Sequence, residues 1–574
     1  MALDLKIAGA TVFDGSGQAG YTADVGIKDG RIVEIGSVST PARRTLGAEG
    51  AIVTPGFIDM HTHYDAQVLW DRELMASSRN GVTSAVMGNC GVGCAPATPA
   101  IRDELVSLLE GVEDIPRAAL EVALDWNWDS FASYLAKVEE RPHTINLAAN
   151  ATHAPLRMIA MGARAFDGSE PTEDDIATMR ALLAEALDSG AVAFSTDRVA
   201  LHQMGDGRHV PDFHAPRSEV MALARLVAER RGCPIQFASD FGMVGTEDDT
   251  LRELSILREV AALGIPVYAP LQQYPCEGGW RRLAADIGKM TQEGANILFE
   301  ASARAIGVLM GLEALIHPFS RHPSYMAIEG LPLDQRVQRM LAPGFRERLL
   351  SEQPQFADND ARVRRRFEQM YREADHIFIV GEVADYEPDP AKSVKSIAER
   401  EGRTLEDVFF EALTAGGGRQ FLYFPIANFK DGRLDEQHDI LSLPNALLSF
   451  GDAGAHLAQI CDAAYSTFVL AHWARDREKG LPLESLIHRM TGAQADLFGF
   501  RDRGRIAVGA IADVNVIDHA ALRLDQPRML HDLPGGASRL MQCGQGYLAT
   551  LVGGVPIVEE DALTGAFPGQ VLRR

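Results

Sequence analysis

From Leu5 to about Val53 apolar and polar positions alternate with a period of two, as in IAGATVFDG and ADVGIKDGRIVEIG, with turn signals at Asp14-Gly15 and Asp29-Gly30. That period predicts short hairpins. The same texture returns in GRIAVGAIADVNVID (504–518) and GYLATLVGGVPIVEE (546–560). Strand-rich ends flanking a long middle predict one small β-sandwich assembled from residues 1–53 and 505–574, with the termini close together. Across residues 54–504 continuous apolar runs alternate with helical stretches. The runs fall at 54–63, 82–90, 145–153, 191–197, 234–240, 265–271, 295–301 and 446–452. Repeated βα units of this kind predict an α/β fold, a (β/α)8 TIM barrel. An open doubly wound sheet is the alternative, but no Gly-rich fingerprint follows the first run. A Thr-x-x-Asp cap and a terminal Gly190 bound a helix over 172–189. About 145 residues separate the last two runs, far more than an ordinary connection. They predict an insertion over about 305–440, whose charged middle, Asp334 to Asp375, has apolar residues at helical spacing and would pack as helices over the barrel mouth.

Composition narrows the function classes. A chain of 574 residues exceeds one ordinary core, and 46% hydrophobic with 23% charged residues describes a folded protein. The net charge of −24 opposes a phosphate backbone, so no nucleic-acid partner is expected. The first residues lack the pattern of a signal peptide, and no apolar stretch has the length of a membrane span. Six cysteines, at 90, 94, 233, 276, 461 and 543, lack the spacing of a disulfide framework. Together these predict a cytoplasmic protein acting on a small molecule, with homo-oligomer formation left open.

Candidate chemistry gathers at the ends of the predicted strands. In TPGFIDMHTHYD, His61 and His63 are two apart, so on an extended chain both imidazoles face one side and can share a metal. By themselves two histidines do not complete a tetrahedral site, and a strand end with exposed histidines fits as well. Cys90 in GNCG offers a thiolate at the same rim. Asp452 in SFGDAGAH can ligate the metal and serve as general base, or cap a helix. His153 in ATHAPLR is a candidate catalytic or ligand histidine, and Arg198 and Arg304 are candidates for a substrate carboxylate.

TPGFIDMHTHYD, GNCG, SFGDAGAH, GRIAVGAIADVNVID and HDLPGGASRL together resemble the amidohydrolase superfamily, and within it the D-aminoacylase (N-acyl-D-amino-acid deacylase) branch. The resemblance spans nearly the whole chain. It implies a metal-loaded barrel with a small β-sandwich that hydrolyses an amide through metal-activated water, with His61, His63, Cys90 and Asp452 as the matching ligands. One departure stands out. The branch normally shows a histidine on each of the fifth and sixth strands, where this chain reads PIQFASD and PVYAPLQQ. Gln236 and Gln272 stand near those places and are assigned to substrate binding, since amide oxygens are weak zinc ligands. The fourth strand offers no lysine for a carbamate bridge, so one zinc ion is expected, with two as the alternative. The expected substrate is an N-acyl amino acid, with the D configuration implied by the branch. A neutral or cyclic amide, lactam or carbamate is the second reading, and a metal-poor scaffold without activity the third.

Overall fold

The computed structural model describes residues 2–241, 246–273, 279–356 and 361–574, so Cys276 lies outside the described residues. Both ends of the chain enter one nine-stranded sheet. Leu3–Val12, Tyr21–Lys28, Arg31–Gly36, Ala42–Gly47 and Ile52–Pro55 come from the N-terminal side, and Val514–Ile517, Tyr547–Val552, Val555–Glu559 and Ala562–Leu563 from the C-terminal side. The two halves join where Val53 pairs with Val516 in antiparallel register. Leu3, Leu5 and Ile7 point inward; a bulge between Ile7 and Ala10, with Gly9 at φ +76°, then resets the alternation so that Ala10 and Val12 are also buried.

The run read from the sequence as one strand over 54–63 is two strands. Ile52–Pro55 belongs to the terminal sheet, and Phe57–Asp59 starts a second, parallel one. Gly56 is the hinge: a Cβ there would lie 2.2 Å from Thr83 Oγ1, and its amide is taken by Asp513 O at 2.8 Å. Phe57–Asp59, Val82–Met87 and Asn146–Ala149 are parallel neighbours. Ala151–Thr152, Phe194–Arg198, Ile235–Ser239, Val267–Pro270, Ile297–Ala301 and Ala446–Leu448 follow in one six-stranded parallel sheet. The chain passes between the two sheets at Asn150, whose amide bonds Met87 O while that of Ala151 bonds Ala193 O. At the other end Thr62 forms a parallel bridge with Ala453, just beyond the last strand. These strands are buried along nearly their whole length, which is why they read as continuous apolar runs.

Helix Glu173–Ser189 forms as its signals predict: Thr172 and Asp175 make a reciprocal capping box, and Gly190 ends it at φ +111°. The segment before the last parallel strand contains helices Leu333–Met340, Phe345–Ser351, Ala361–Arg372, Val394–Glu401 and Leu405–Thr414. It also contains an antiparallel sheet of Ile306–Met310, Phe378–Ile379 and Leu422–Ala427, which the charge pattern did not announce. Its core is separate and includes Val308, Met310, Phe319, Phe409, Leu413 and Phe424. The last residues leave the terminal sheet altogether. Gly569 bridges to His143 and Val571 to Leu147, so the C-terminus lies against the third parallel strand.

His317, in this inserted segment, is 2% exposed, and its Nδ1 accepts the amide of Phe319 at 3.2 Å. Burial, with Arg336 and His322 nearby, pulls its pKa down to about 3. Below the ordinary value of about 6.5 the unfolded chain takes up a proton that the folded chain refuses, so stability falls with pH, by about 1.4 kcal/mol per unit, until the folded value is reached. Denaturant unfolding at pH 7 and pH 5.5 is therefore expected to show wild type losing about 1 kcal/mol more than His317→Gln. Equal losses in the two proteins would contradict this.

Candidate metal centre

After Asp59 the chain stays extended. Thr62 N donates to Val86 O at 3.1 Å and His63 N to Ala453 O at 2.8 Å, so the two histidines are clamped between the second parallel strand and the loop after the last. Asp59 Oδ1 accepts the His61 amide at 3.2 Å. Cys90 follows the second strand in a turn held open at φ +51°, its amide donating to Gln236 Oε1 at 2.6 Å. Asp452 sits beyond the last strand at φ +46°, after Phe450 at φ +68°. Left-handed backbone at non-glycine residues costs about 1–2 kcal/mol each and persists only where the surroundings enforce it. Here it turns a thiol and a carboxylate inward.

Gly91 completes the Cys90 turn at φ +65°, and a Cβ on it would lie 2.1 Å from Asp212 Oδ2 and 3.0 Å from Asp197 N. Gly91→Ala is expected to displace Cys90, lower stability by about 2 kcal/mol or more, and weaken metal binding. Thermal unfolding and zinc titration check it; a variant matching wild type in both would show that the turn tolerates a side chain.

The donor atoms of His61, His63 and Cys90 lie within 4.8 Å of one another, and all three residues are buried. His61 Nε2 is 3.5 Å from Cys90 Sγ and 3.3 Å from Asp452 Oδ1, which is 3.7 Å from His63 Nε2. Two imidazoles and a cysteine sulfur share one point, with the Asp452 carboxylate against both imidazoles, a donor set that suits zinc. Among the described residues no other group of three or more such donors converges. Burial disfavours the charged imidazoles, but Glu300 and Cys90 around His61, and Glu113 with Asp452 and Cys90 around His63, outweigh it and raise both pKa values. Burial likewise pushes Asp452 up, yet the hydrogen bond from His63 and the charges of His61 and His63 hold it below the usual carboxylate range. Asp59, buried beside the centre, is pushed up to about 7 by desolvation. The pocket is thus rich in negative charge and suits a cation.

Residues 44–372 and 447–558 match the model of the Amidohydrolase family, and they make up well over half of the chain. The chain belongs to the amidohydrolase family. The N-acyl-D-glutamate deacylase of Alcaligenes xylosoxydans xylosoxydans is 30% identical over 583 residues, covering 100% of this chain and 97% of its own. The D-aminoacylase of the same organism is 27% identical, covering 100% of this chain and 98% of its own. Among solved structures, the N-acyl-D-glutamate deacylase of Bordetella bronchiseptica, complexed with zinc and a phosphonate mimic of the tetrahedral intermediate, superposes at TM-score 0.65 with 25% identity and full coverage of both chains. A D-aminoacylase with a binuclear metal centre superposes at the same score with 23% identity, a likeness of fold.

In this amidohydrolase His61, His63, Cys90 and Asp452 meet, while other residues singled out in the sequence are placed differently. His153 is fully buried with both ring nitrogens engaged, Nδ1 with Thr196 Oγ1 at 2.9 Å and Nε2 with Glu219 Oε1 at 2.9 Å. Glu219 also binds Arg157, so His153 belongs to a closed polar network and not to the centre. Arg198 makes a two-pronged pair with Glu253, at 2.6 and 3.0 Å, and also reaches Ala215 O. Arg304 binds Asp462 through Nε and Nη2, at 3.1 and 2.8 Å, and stacks on Tyr386. Both guanidiniums are paired with buried carboxylates, while Arg304 Nη1, also buried, has no hydrogen-bond partner. Gln272 Oε1 accepts from Ser302 and from Asn428 of the inserted segment. Gln236 is at the centre itself, against Cys90 and Glu300.

Two residues of the centre had no place in the sequence reading. Glu300 stands 2.9 Å from His61 Nδ1 and Glu113 3.0 Å from His63 Nδ1. A carboxylate inside the apolar run NILFEA was a usable signal for Glu300, because a buried strand seldom carries an unpaired charge. Glu113 ends helix Arg102–Glu113 and resembles any solvent-facing helix residue until the fold is known.

Proposed function

We propose that this amidohydrolase cleaves the amide bond of an N-acyl amino acid, of the D configuration named for its curated relatives, at a zinc centre formed by His61, His63, Cys90 and Asp452. The observation that carries the reading is the convergence of these four side chains from three separate parts of the chain. Zinc held there would act as a Lewis acid and bring a water's pKa down to about 7. Asp452, whose Oδ1 lies 3.3 Å from His61 Nε2 and 3.7 Å from His63 Nε2, would take the proton of the attacking water and pass it to the departing amine nitrogen. The donor set calls for one ion. The support for a closed eight-stranded barrel is the Thr62 to Ala453 bridge at one gap and the Asn150 crossing at the other. A cytoplasmic location agrees with the five described cysteines, all free thiols.

A neutral or cyclic amide is the second reading, favoured by the pairing of Arg198 with Glu253 and of Arg304 with Asp462, which offsets both charges. One assay separates the two. Zinc-loaded protein is given N-acetyl-D-amino acids, their L enantiomers, the corresponding C-terminal amides and a five-membered cyclic diamide. The proposal expects turnover of the free D-acids at least tenfold above the amides; preference for the neutral or cyclic substrates would transfer the assignment to the second reading, and turnover of none would remove both.

A further inference from the structure

We infer that Glu113 and Glu300 are positioning residues for the metal ion, each fixing one imidazole through Nδ1 so that Nε2 of His61 and of His63 is the ligand atom. This rests on the proposed metal centre. Glu300 Oε1 is 2.9 Å from His61 Nδ1, on the opposite edge of the ring from Cys90 Sγ and Asp452 Oδ1. Glu113 Oε1 is 3.0 Å from His63 Nδ1, again opposite the nitrogen that faces Asp452. Both glutamates are essentially removed from solvent. Nδ1 of each ring is thus the edge turned to a glutamate, and Nε2 the edge turned to the donor cluster, with Cys90 Sγ against Nε2 of His61 and Asp452 Oδ1 against Nε2 of both rings. At His63 the contact is a close approach of ring and carboxylate at 3.0 Å and not a hydrogen bond, since His63 Nδ1 and Glu113 Oε1 are both buried without a hydrogen-bond partner.

Each glutamate is itself held. Gln236 Oε1 accepts from the Cys90 amide at 2.6 Å, which fixes the orientation of its side-chain amide, and Nε2 then donates to Glu300 Oε2 at 3.1 Å. Gln236 Nε2 also approaches His61 Nδ1 at 3.2 Å. Glu300 Oε1 and Gln236 Nε2 both hold the Nδ1 edge of the ring, the edge away from Cys90 and Asp452. The glutamine that stands where a ligand was expected therefore ties the thiolate-bearing turn to the carboxylate behind His61. On the other side, the His456 amide donates to Glu113 O, and His456 Nδ1 and Gln459 Nε2 both bind Asp114 Oδ2. These bonds tie the end of helix Arg102–Glu113 to the loop that carries Asp452.

Outer-shell carboxylates of this kind, when removed, cost about 10–100-fold in metal affinity. Zinc affinity of the full chain, measured by chelator competition, is expected to fall by about that factor in Glu113→Gln and in Glu300→Gln, with the zinc-free proteins unfolding near the wild-type temperature. Affinities within threefold of wild type in both variants would overturn the inference while leaving the metal centre standing. Wild type that takes up no zinc would overturn the centre first. A crystal structure of zinc-loaded wild type supplies a check independent of how the variants fold: ligation through Nε2 of both rings is expected, and ligation through either Nδ1 overturns the assignment.

Discussion

Asp452→Asn is expected to lower kcat for amide hydrolysis by about 10²–10⁴-fold. Asparagine keeps the size and one carbonyl oxygen of the side chain but cannot take a proton, and the reading places the proton of the attacking water on Asp452 Oδ1. The carboxylate sits among groups that favour its ionised form. It is buried, which alone would favour the protonated acid, but the imidazoles of His61 and His63 hold it below the usual carboxylate range. Since the same oxygen faces both ligand histidines, zinc content must be measured beside turnover. A protein that keeps its zinc and turns over within tenfold of wild type would show that the proton goes elsewhere. The neighbouring Asp462, which is paired with Arg304, would be the next residue to test.

The second large effect is on the metal itself. His63→Ala or Cys90→Ser is expected to reduce bound zinc from about one equivalent to a small fraction of one, with turnover falling by about 10³-fold or more, because a Lewis acid contributes several kcal/mol to the barrier. Chelator treatment of wild type should lower activity similarly, and added zinc should restore it. The serine variant is the sharper probe, since a hydroxyl preserves the volume of the thiol but not its affinity for zinc. Cys90 stands in a turn whose left-handed backbone brings Sγ within 3.5 Å of His61 Nε2. Full zinc content in both variants would show that the ion rests on other groups.

The two arginines show what residue type alone leaves open. A guanidinium near a strand end is a sound candidate for a substrate carboxylate, but Glu253 and Asp462, distant in the chain, already occupy Arg198 and Arg304. His153 follows the same logic, with Glu219 and Thr196 taking both ring nitrogens. Nothing near these residues in the sequence names their partners, which lie between 43 and 158 positions away.

Local order was legible because it is written in nearest neighbours. Period-two alternation marks the terminal strands, continuous apolar runs mark the buried parallel ones, and a threonine three residues before an aspartate starts helix Glu173–Ser189. The His-x-His spacing likewise carried its own geometry, since residues two apart on an extended chain face one way whatever lies around them. What the chain alone left undecided was every relation between residues far apart in it. The break at Gly56 depends on Thr83, the identity of Glu113 as a partner for His63 depends on where a helix ends, and the role of Gln236 depends on Cys90 and Glu300 arriving on either side of it. Residue types and spacings determine which groups could bind a metal; only the packing of strands and loops brings donor atoms to ångström separations, because such contacts between distant parts of the chain exist only once the whole core has formed.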